Sequence, residues 1–201
     1  MIIPRDFYEQ DTLTVAQSLL GQLLVRHTPA GTVTGIIVET EAYLGEKDDA
    51  AHSYRGKTAR TSVQYGEKGH AYIYMIYGIH FCLNLTAGPP GLPEVVLIRA
   101  VEPVSGIELM AERRASKNRL ALCSGPGKLC RAFDIGKELY GADVCQSGAL
   151  YLVYSGQAVS VTASSRVGID YAVSSREMPW RFTISDNSYI SKPTVEKKQK
   201  L

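Results

Sequence analysis

A single mixed α+β domain is the fold class this sequence predicts, and three observations predict it. Short β-prone apolar runs recur along the chain, several of them paired across turns that carry glycine. Between them lie stretches with apolar residues near helical spacing. No internal repeat and no linker divides the 201 residues, a length that one core can serve. With 45% hydrophobic and 21% charged residues the composition is that of an ordinary folded chain, which argues against wholesale disorder.

The elements follow in order. Asp11 to Gly21 reads as a helix, with Asp11 as N-cap, Leu13, Ala16, Leu19 and Leu20 near helical spacing, and Gly21 as its stop. Leu23 to His27 and Thr34 to Glu41 form a hairpin about the turn Thr28-Pro-Ala-Gly-Thr32. Leu44 to Gly69, rich in Gly, Ser, Lys, Arg and Asp, is a long surface loop, and loops of that length usually carry function. Ala71 to Tyr77 and Ile79 to Leu85 form a second, aromatic hairpin turning at Gly78. After the break at Gly88-Pro-Pro-Gly-Leu-Pro93 comes the strand Glu94 to Val101. Ser105 to Lys117 is helical, and a short helix Leu129 to Phe133 follows Ser124-Gly-Pro-Gly-Lys128. Ala149 to Tyr154, Val159 to Ala163 and Trp180 to Ile184 are the last strands, with a turn at Arg166 to Asp170. The domain is expected to span residues 1–190, leaving 191–201 as a disordered basic tail.

Several function classes lose support at once. The N-terminus lacks the basic start and apolar stretch of a signal peptide, and no segment reaches membrane-spanning length, so a cytoplasmic protein without membrane contact is expected. Cys82, Cys123, Cys130 and Cys145 form no Cys-x-x-Cys pair and the histidines no His-Glu-x-x-His, so neither disulfides nor a metal are implied. A net charge of +2 does not announce nucleic acid. Arg55, Lys57, Arg60 and Lys68 do crowd one loop, and Arg113, Arg114, Lys117 and Arg119 another. Phosphate contacts are one explanation, but the second cluster taken alone reads better as a solvated helix face.

Ile36-Ile-Val-Glu-Thr-Glu-Ala-Tyr43 is the most informative stretch. Strand alternation would put Glu39, Glu41 and Tyr43 on one face with Ile37, and two close carboxylates beside apolar surface tend to raise the pKa of one, as a general base requires. An edge strand with solvated or Arg-paired acids fits the same pattern. Arg99, inside the apolar run Val95 to Val101, needs an anionic partner such as Glu41 or a phosphate. Tyr77, beside the hairpin turn, suits a wedge into stacked bases, whereas Tyr72 and Tyr74 read equally well as core packing. His52 is either a base or phosphate contact or a solvated loop side chain. The start of the helix after Gly125, with Lys128, could meet one phosphate through its amides.

Taken together, Glu39-Thr-Glu-Ala-Tyr-Leu-Gly45, Ala50-Ala-His-Ser53, Tyr72-Ile-Tyr-Met-Ile-Tyr-Gly78, Cys82-Leu-Asn84, Leu97-Ile-Arg-Ala-Val-Glu-Pro103, Cys123-Ser-Gly-Pro-Gly-Lys-Leu-Cys130, Arg166-Val-Gly-Ile169 and Pro179-Trp-Arg-Phe182 resemble the alkyladenine (3-methyladenine) DNA glycosylases, the type shared by mammals and many bacteria. The resemblance runs from about Phe7 to Ile184, and the order and spacing of its motifs are specific. It implies a curved, mostly antiparallel sheet with helices packed outside and a projecting hairpin. Glu41 matches the base that activates water, with Glu39 in support. Tyr43 and Tyr74 match rings that sandwich an extruded base, and His52 matches the pocket floor. Tyr77 matches the side chain that fills the vacated gap in the duplex. Asn84 matches the group that clashes with the 2-amino substituent of normal guanine, and Arg99 matches an arginine near the water and sugar-phosphate. The implied protein is a monomer, without cofactor, acting on double-stranded DNA that carries a damaged purine. Two departures, in Lys57-Thr-Ala-Arg-Thr-Ser-Val-Gln-Tyr-Gly66 and at Val173, spare every matched group and bear on substrate breadth. Two rival readings remain: a non-enzymatic damage-binding module, and a metal-dependent nuclease using Glu39, Glu41, Asp48 and Asp49.

Overall fold

The computed structural model describes residues 1–193. Its elements are α1 (Arg5–Tyr8), α2 (Thr12–Ser18), β1 (Leu23–Thr28), β2 (Gly31–Tyr43), β3 (Ala71–Ile76), β4 (His80–Ala87), β5 (Glu94–Ser105), α3 (Ile107–Arg114), α4 (Pro126–Phe133), β6 (Leu150–Val153), β7 (Val161–Ser164) and β8 (Arg181–Ile184). The strands form one curled sheet in the order β3-β4-β5-β2-β1-β6, with β8 on β2 and β7 on β8. Every pairing is antiparallel. The α+β class, the antiparallel sheet, the helices packed around it and the projecting hairpin are all as the sequence and its resemblance implied.

Strand β2 is the organiser. One edge pairs with β5 from Thr34 to Tyr43. The other edge is shared: β1 takes Gly31 to Ile36, and β8 takes Glu39 to Glu41. Its core-facing Val33, Ile37 and Ala42 join Val96, Ile98 and Val101 of β5, and Leu19, Met110, Leu129 and Phe133 from the helical side cover them. Burying such side chains contributes roughly 1.5–3 kcal/mol each, so this seam adds substantially to stability.

Local chemistry explains the boundaries. The Asp11 carboxylate accepts from the amides of Leu13 and Thr14, both at 3.1 Å, so it caps α2 as expected. Pro126 occupies the first turn of α4, which therefore begins three residues before the expected Leu129. The helix placed at 105–117 is trimmed to α3 because left-handed residues, Gly106 (φ 69°) and Ala115 (φ 49°), bracket it, and Ser105 ends β5 instead. Both β2 and β5 run longer than their apolar cores indicated, since the polar ends also find ladder partners. Gly35 permits part of this: a Cβ there would lie 2.3 Å from Val101 Cγ1 and 2.7 Å from the Glu102 carbonyl oxygen. The short α1 was not foreseen. No described helix is long and apolar enough to cross a membrane.

At the other end of the chain, the segment expected to be a tail from 191 onward starts with firm contacts. Ser191 donates its amide (2.6 Å) and hydroxyl (2.9 Å) to Glu39, and the Lys192 carbonyl accepts from Arg181 at 2.6 Å. The remainder of that expected tail, from residue 194, lies outside the described residues.

Candidate active site

The two acids of β2 meet where β1 gives way to β8. Thr40 faces the helices, its hydroxyl donating to the Ala16 carbonyl at 2.7 Å, while Glu39, Glu41 and Tyr43 face the opposite way. Ile37 does not share their face, as simple alternation required, but lies in the core with Ala42. The register of β2 against β5 slips between Ile37 and Glu39 and again between Glu39 and Thr40, and such irregularities re-aim side chains.

Both carboxylates are fully buried, at 0% exposure. Arg99 of β5 binds the pair, with Nε donating to Glu39 at 2.8 Å and a terminal nitrogen to Glu41 at 3.3 Å. Arg181 of β8 adds a second 2.8 Å bond to Glu39. Burial opposes ionisation of Glu39, but Arg99, Arg181 and the Ser191 amide outweigh it and hold its carboxyl below the usual range. Glu39 is therefore not the raised carboxylate that an acid pair suggested. Glu41 accepts from the Tyr43 hydroxyl (2.9 Å), from Arg99 and from the Val167 amide (2.7 Å). An ionised carboxylate has about four acceptor sites, so this arrangement leaves room for one more donor.

In front of Glu41 lies a cavity of about 460 Å³, in the range of small-ligand sites. Tyr43, His52, Tyr74, Tyr77, Asn84 and Arg99 all line it. Glu41 stands one hydrogen bond behind the wall, its three partners Tyr43, Arg99 and Val167 being lining residues themselves. Burial, then the nearby Glu41 charge, pushes the Tyr43 phenol well above its ordinary value, so it stays a hydrogen-bond donor. Tyr74 is raised likewise, chiefly by burial.

The hydrogen bonds of His52 select one tautomer. His52 Nε2 lies 3.3 Å from Arg60, which can only donate, so Nε2 is the acceptor and Nδ1 carries the proton towards the Tyr72 hydroxyl at 2.9 Å. Packing around the ring, and then the Arg60 cation, lower the His52 pKa to about 4. His52 stands edge-on to Tyr74, with ring centroids 4.5 Å apart. Asn84 on β4 donates to the Tyr72 carbonyl at 3.1 Å.

Tyr77 is 86% exposed at the tip of the β3–β4 hairpin. It and Gly78 have positive φ (54° and 70°) in the three-residue connection Tyr77-Gly78-Ile79, so Tyr77 belongs to the turn and not to the strand. Lys128 is outside the cavity lining, exposed on α4 with its ammonium 3.4 Å from Ser124 Oγ, although Pro126 at the start of that helix does line the cavity.

Sequence reasoning overlooked the support behind Tyr43. Arg166 is buried and forms a two-pronged pair with Asp48 at 2.5 and 2.8 Å, and it donates to the Ala42 carbonyl at 2.9 Å. Its guanidinium stacks between Tyr43 (4.5 Å) and Trp180 (5.0 Å). The only available signal was an arginine beginning the matched Arg166-Val-Gly-Ile169, since its partner lies 118 residues away. Lys68, counted among the loop's cations, is buried and donates to the carbonyls of Gln64 and Leu92, pinning the loop. Glu39, Glu41 and Asp48 are each engaged by arginine, which leaves a neutralised and unattractive donor set for a divalent cation.

A buried carboxylate behind a cavity walled by tyrosines suits a hydrolase that takes flat ring substrates. The profile of the methylpurine-DNA glycosylase family matches residues 6–188, and the chain belongs to that family. It is similar to proteins from Methanocella arvoryzae (50% identical, covering 95% of this chain and 96% of that one), Desulfitobacterium hafniense (46%; 93% and 97%) and Clostridium tetani (45%; 96% and 100%), each bearing the name "Putative 3-methyladenine DNA glycosylase". Family membership makes the protein a monofunctional DNA glycosylase, a hydrolase of alkylated purines in DNA repair.

Proposed function

We propose that Glu41 activates the water that hydrolyses the N-glycosidic bond of a purine extruded from duplex DNA, leaving an abasic site for base excision repair. The observation that carries this reading is the setting of Glu41: a buried carboxylate with three fixed donors and one acceptor site left, directly behind the cavity wall. A water in that remaining site would be polarised towards C1′, while the carboxylate offsets the positive charge that builds on the sugar as the bond breaks. Arg99 donates to Glu41 and, lining the cavity, is the cation that meets the sugar-phosphate in this reading.

The substrates in this reading are 3-methyladenine, 7-methylguanine, hypoxanthine and ethenoadenine. Tyr43 and Tyr74 stack on the extruded base, which His52 meets at the floor, and Asn84 clashes with the 2-amino group of intact guanine. Tyr77 fills the gap in the duplex, for which its exposure on a tight turn suits it. The uncapped start of α4, with Lys128, takes a DNA phosphate. The enzyme works as a monomer on chromosomal DNA in the cytoplasm and needs no cofactor.

The test uses duplexes carrying each lesion, incubated with enzyme in the presence of chelator and then cleaved with alkali at abasic sites. Wild-type protein should yield alkali-dependent breaks, and Glu41→Gln should yield none while still binding an abasic-site analogue. Release of hypoxanthine by the variant at the wild-type rate would overturn the mechanism.

A further inference from the structure

The buried charges around the cavity balance. Glu39, Glu41 and Asp48 are matched by Arg99, Arg181 and Arg166. His52, with Arg60 bound at Nε2, is neutral at physiological pH. Arg60 remains: it lines the cavity, and among the described residues no carboxylate lies within 4 Å of it. Its guanidinium sits 5.1 Å from the centroid of Tyr74, one of the two rings between which a base would stack.

We propose that Arg60 is a specificity-determining residue that biases this site towards uncharged damaged purines, the deaminated and etheno class, and against purines carrying a fixed positive charge, the N-alkylated class. The proposal rests on the function proposed above. Its sign does not depend on which face of Tyr74 the guanidinium covers. On the base-facing side it repels a cationic base directly. On the other side it already occupies the ring's attraction for a cation, which a cationic base would otherwise use. Any cost of moving the side chain aside for stacking falls on neutral and cationic bases alike. The neutral His52 adds no second cation, so removing Arg60 removes the cavity's uncompensated charge. In the sequence this residue stood only among loop cations suited to phosphate; the fold sets it, still exposed to solvent, beside the cavity.

The experiment compares single-turnover release of hypoxanthine and 7-methylguanine from otherwise identical duplexes at pH 7.5, by wild type, Arg60→Gln and Arg60→Lys. Arg60→Gln should lower the hypoxanthine to 7-methylguanine rate ratio about ten-fold, the change expected from losing roughly 1.4 kcal/mol of charge discrimination. Arg60→Lys, which keeps the charge, should hold the ratio within about three-fold of wild type. An equal slowing of both lesions by Arg60→Gln would assign Arg60 to DNA binding and overturn the inference, as would a ratio that moves equally in both variants. Wild-type protein releasing neither base would instead overturn the proposed function itself.

Discussion

Removing the Asp48 carboxylate should cost this protein more than any single surface change, and the structure sets the size. Asp48→Ala strands Arg166 in the interior, where its Nε already lacks a partner and only the Ala42 carbonyl and Ser175 remain to it. The amides of Leu44 and Ala50, which donate to Asp48 at 3.1 and 3.0 Å, lose their acceptor as well. Breaking a buried pair from one side costs about 3–5 kcal/mol. For a domain of this size that corresponds to a fall in Tm of roughly 6–20 °C. Urea unfolding of wild type, Asp48→Ala, Arg166→Met and the double variant supplies the measurement. The double variant should be more stable than Asp48→Ala, because it removes the orphaned cation. Base release by Asp48→Ala should fall even where it remains folded, since Arg166 backs Tyr43 and the adjacent Val167 amide holds Glu41. A loss below about 1 kcal/mol, or simple additivity of the two single variants, would refute the reasoning. Acid reports on the same pair. Burial opposes ionising Asp48, but Arg166 and Ser175 hold its pKa below the ordinary 3.8, so this stabilisation is present above 3.8 and is lost as pH falls through the lower folded value.

Three further outcomes are expected. Tyr77→Gly should change stability by less than about 1 kcal/mol, relief of the left-handed backbone being offset by the entropy of glycine, yet it should cut release from duplex DNA at least about ten-fold while sparing single-stranded substrate; equal loss on both substrates would remove Tyr77 from the extrusion step. His52 should titrate near pH 4 by NMR. Because the unfolded chain takes up that proton first, His52 makes stability fall as pH drops from about 6.5 to 4, and His52→Gln should flatten this slope in pH-dependent unfolding; an unchanged slope would count against the assignment. Ending the chain at residue 190 removes two Ser191 hydrogen bonds from buried Glu39 and should cost about 1–3 kcal/mol by thermal melting, a result that an unchanged Tm would contradict.

Local pattern carries as far as local physics does. The Asp11 cap, the aromatic hairpin and the apolar strands were legible because they depend on side-chain alternation, turn residues and helix ends within a few positions of one another. The site residues were nameable from motifs, and the cavity does gather Tyr43, His52, Tyr74, Tyr77, Asn84 and Arg99. Lys128 stayed outside it, for a motif on a helix says nothing of which way that helix faces.

By itself the sequence determined the α+β class and the family, and with them the chemistry expected of Glu41. Tertiary structure alone decided the rest. It moved Ile37 into the core through two register slips that no alternation rule reveals, and it lowered the pKa of Glu39 by adding Arg181 and Ser191 to Arg99. It paired Asp48 with Arg166 and brought Arg60 to the cavity. These depend on contacts between residues tens to more than a hundred positions apart, where the energy of a charge is set by which partners the fold brings to it and how much water it excludes.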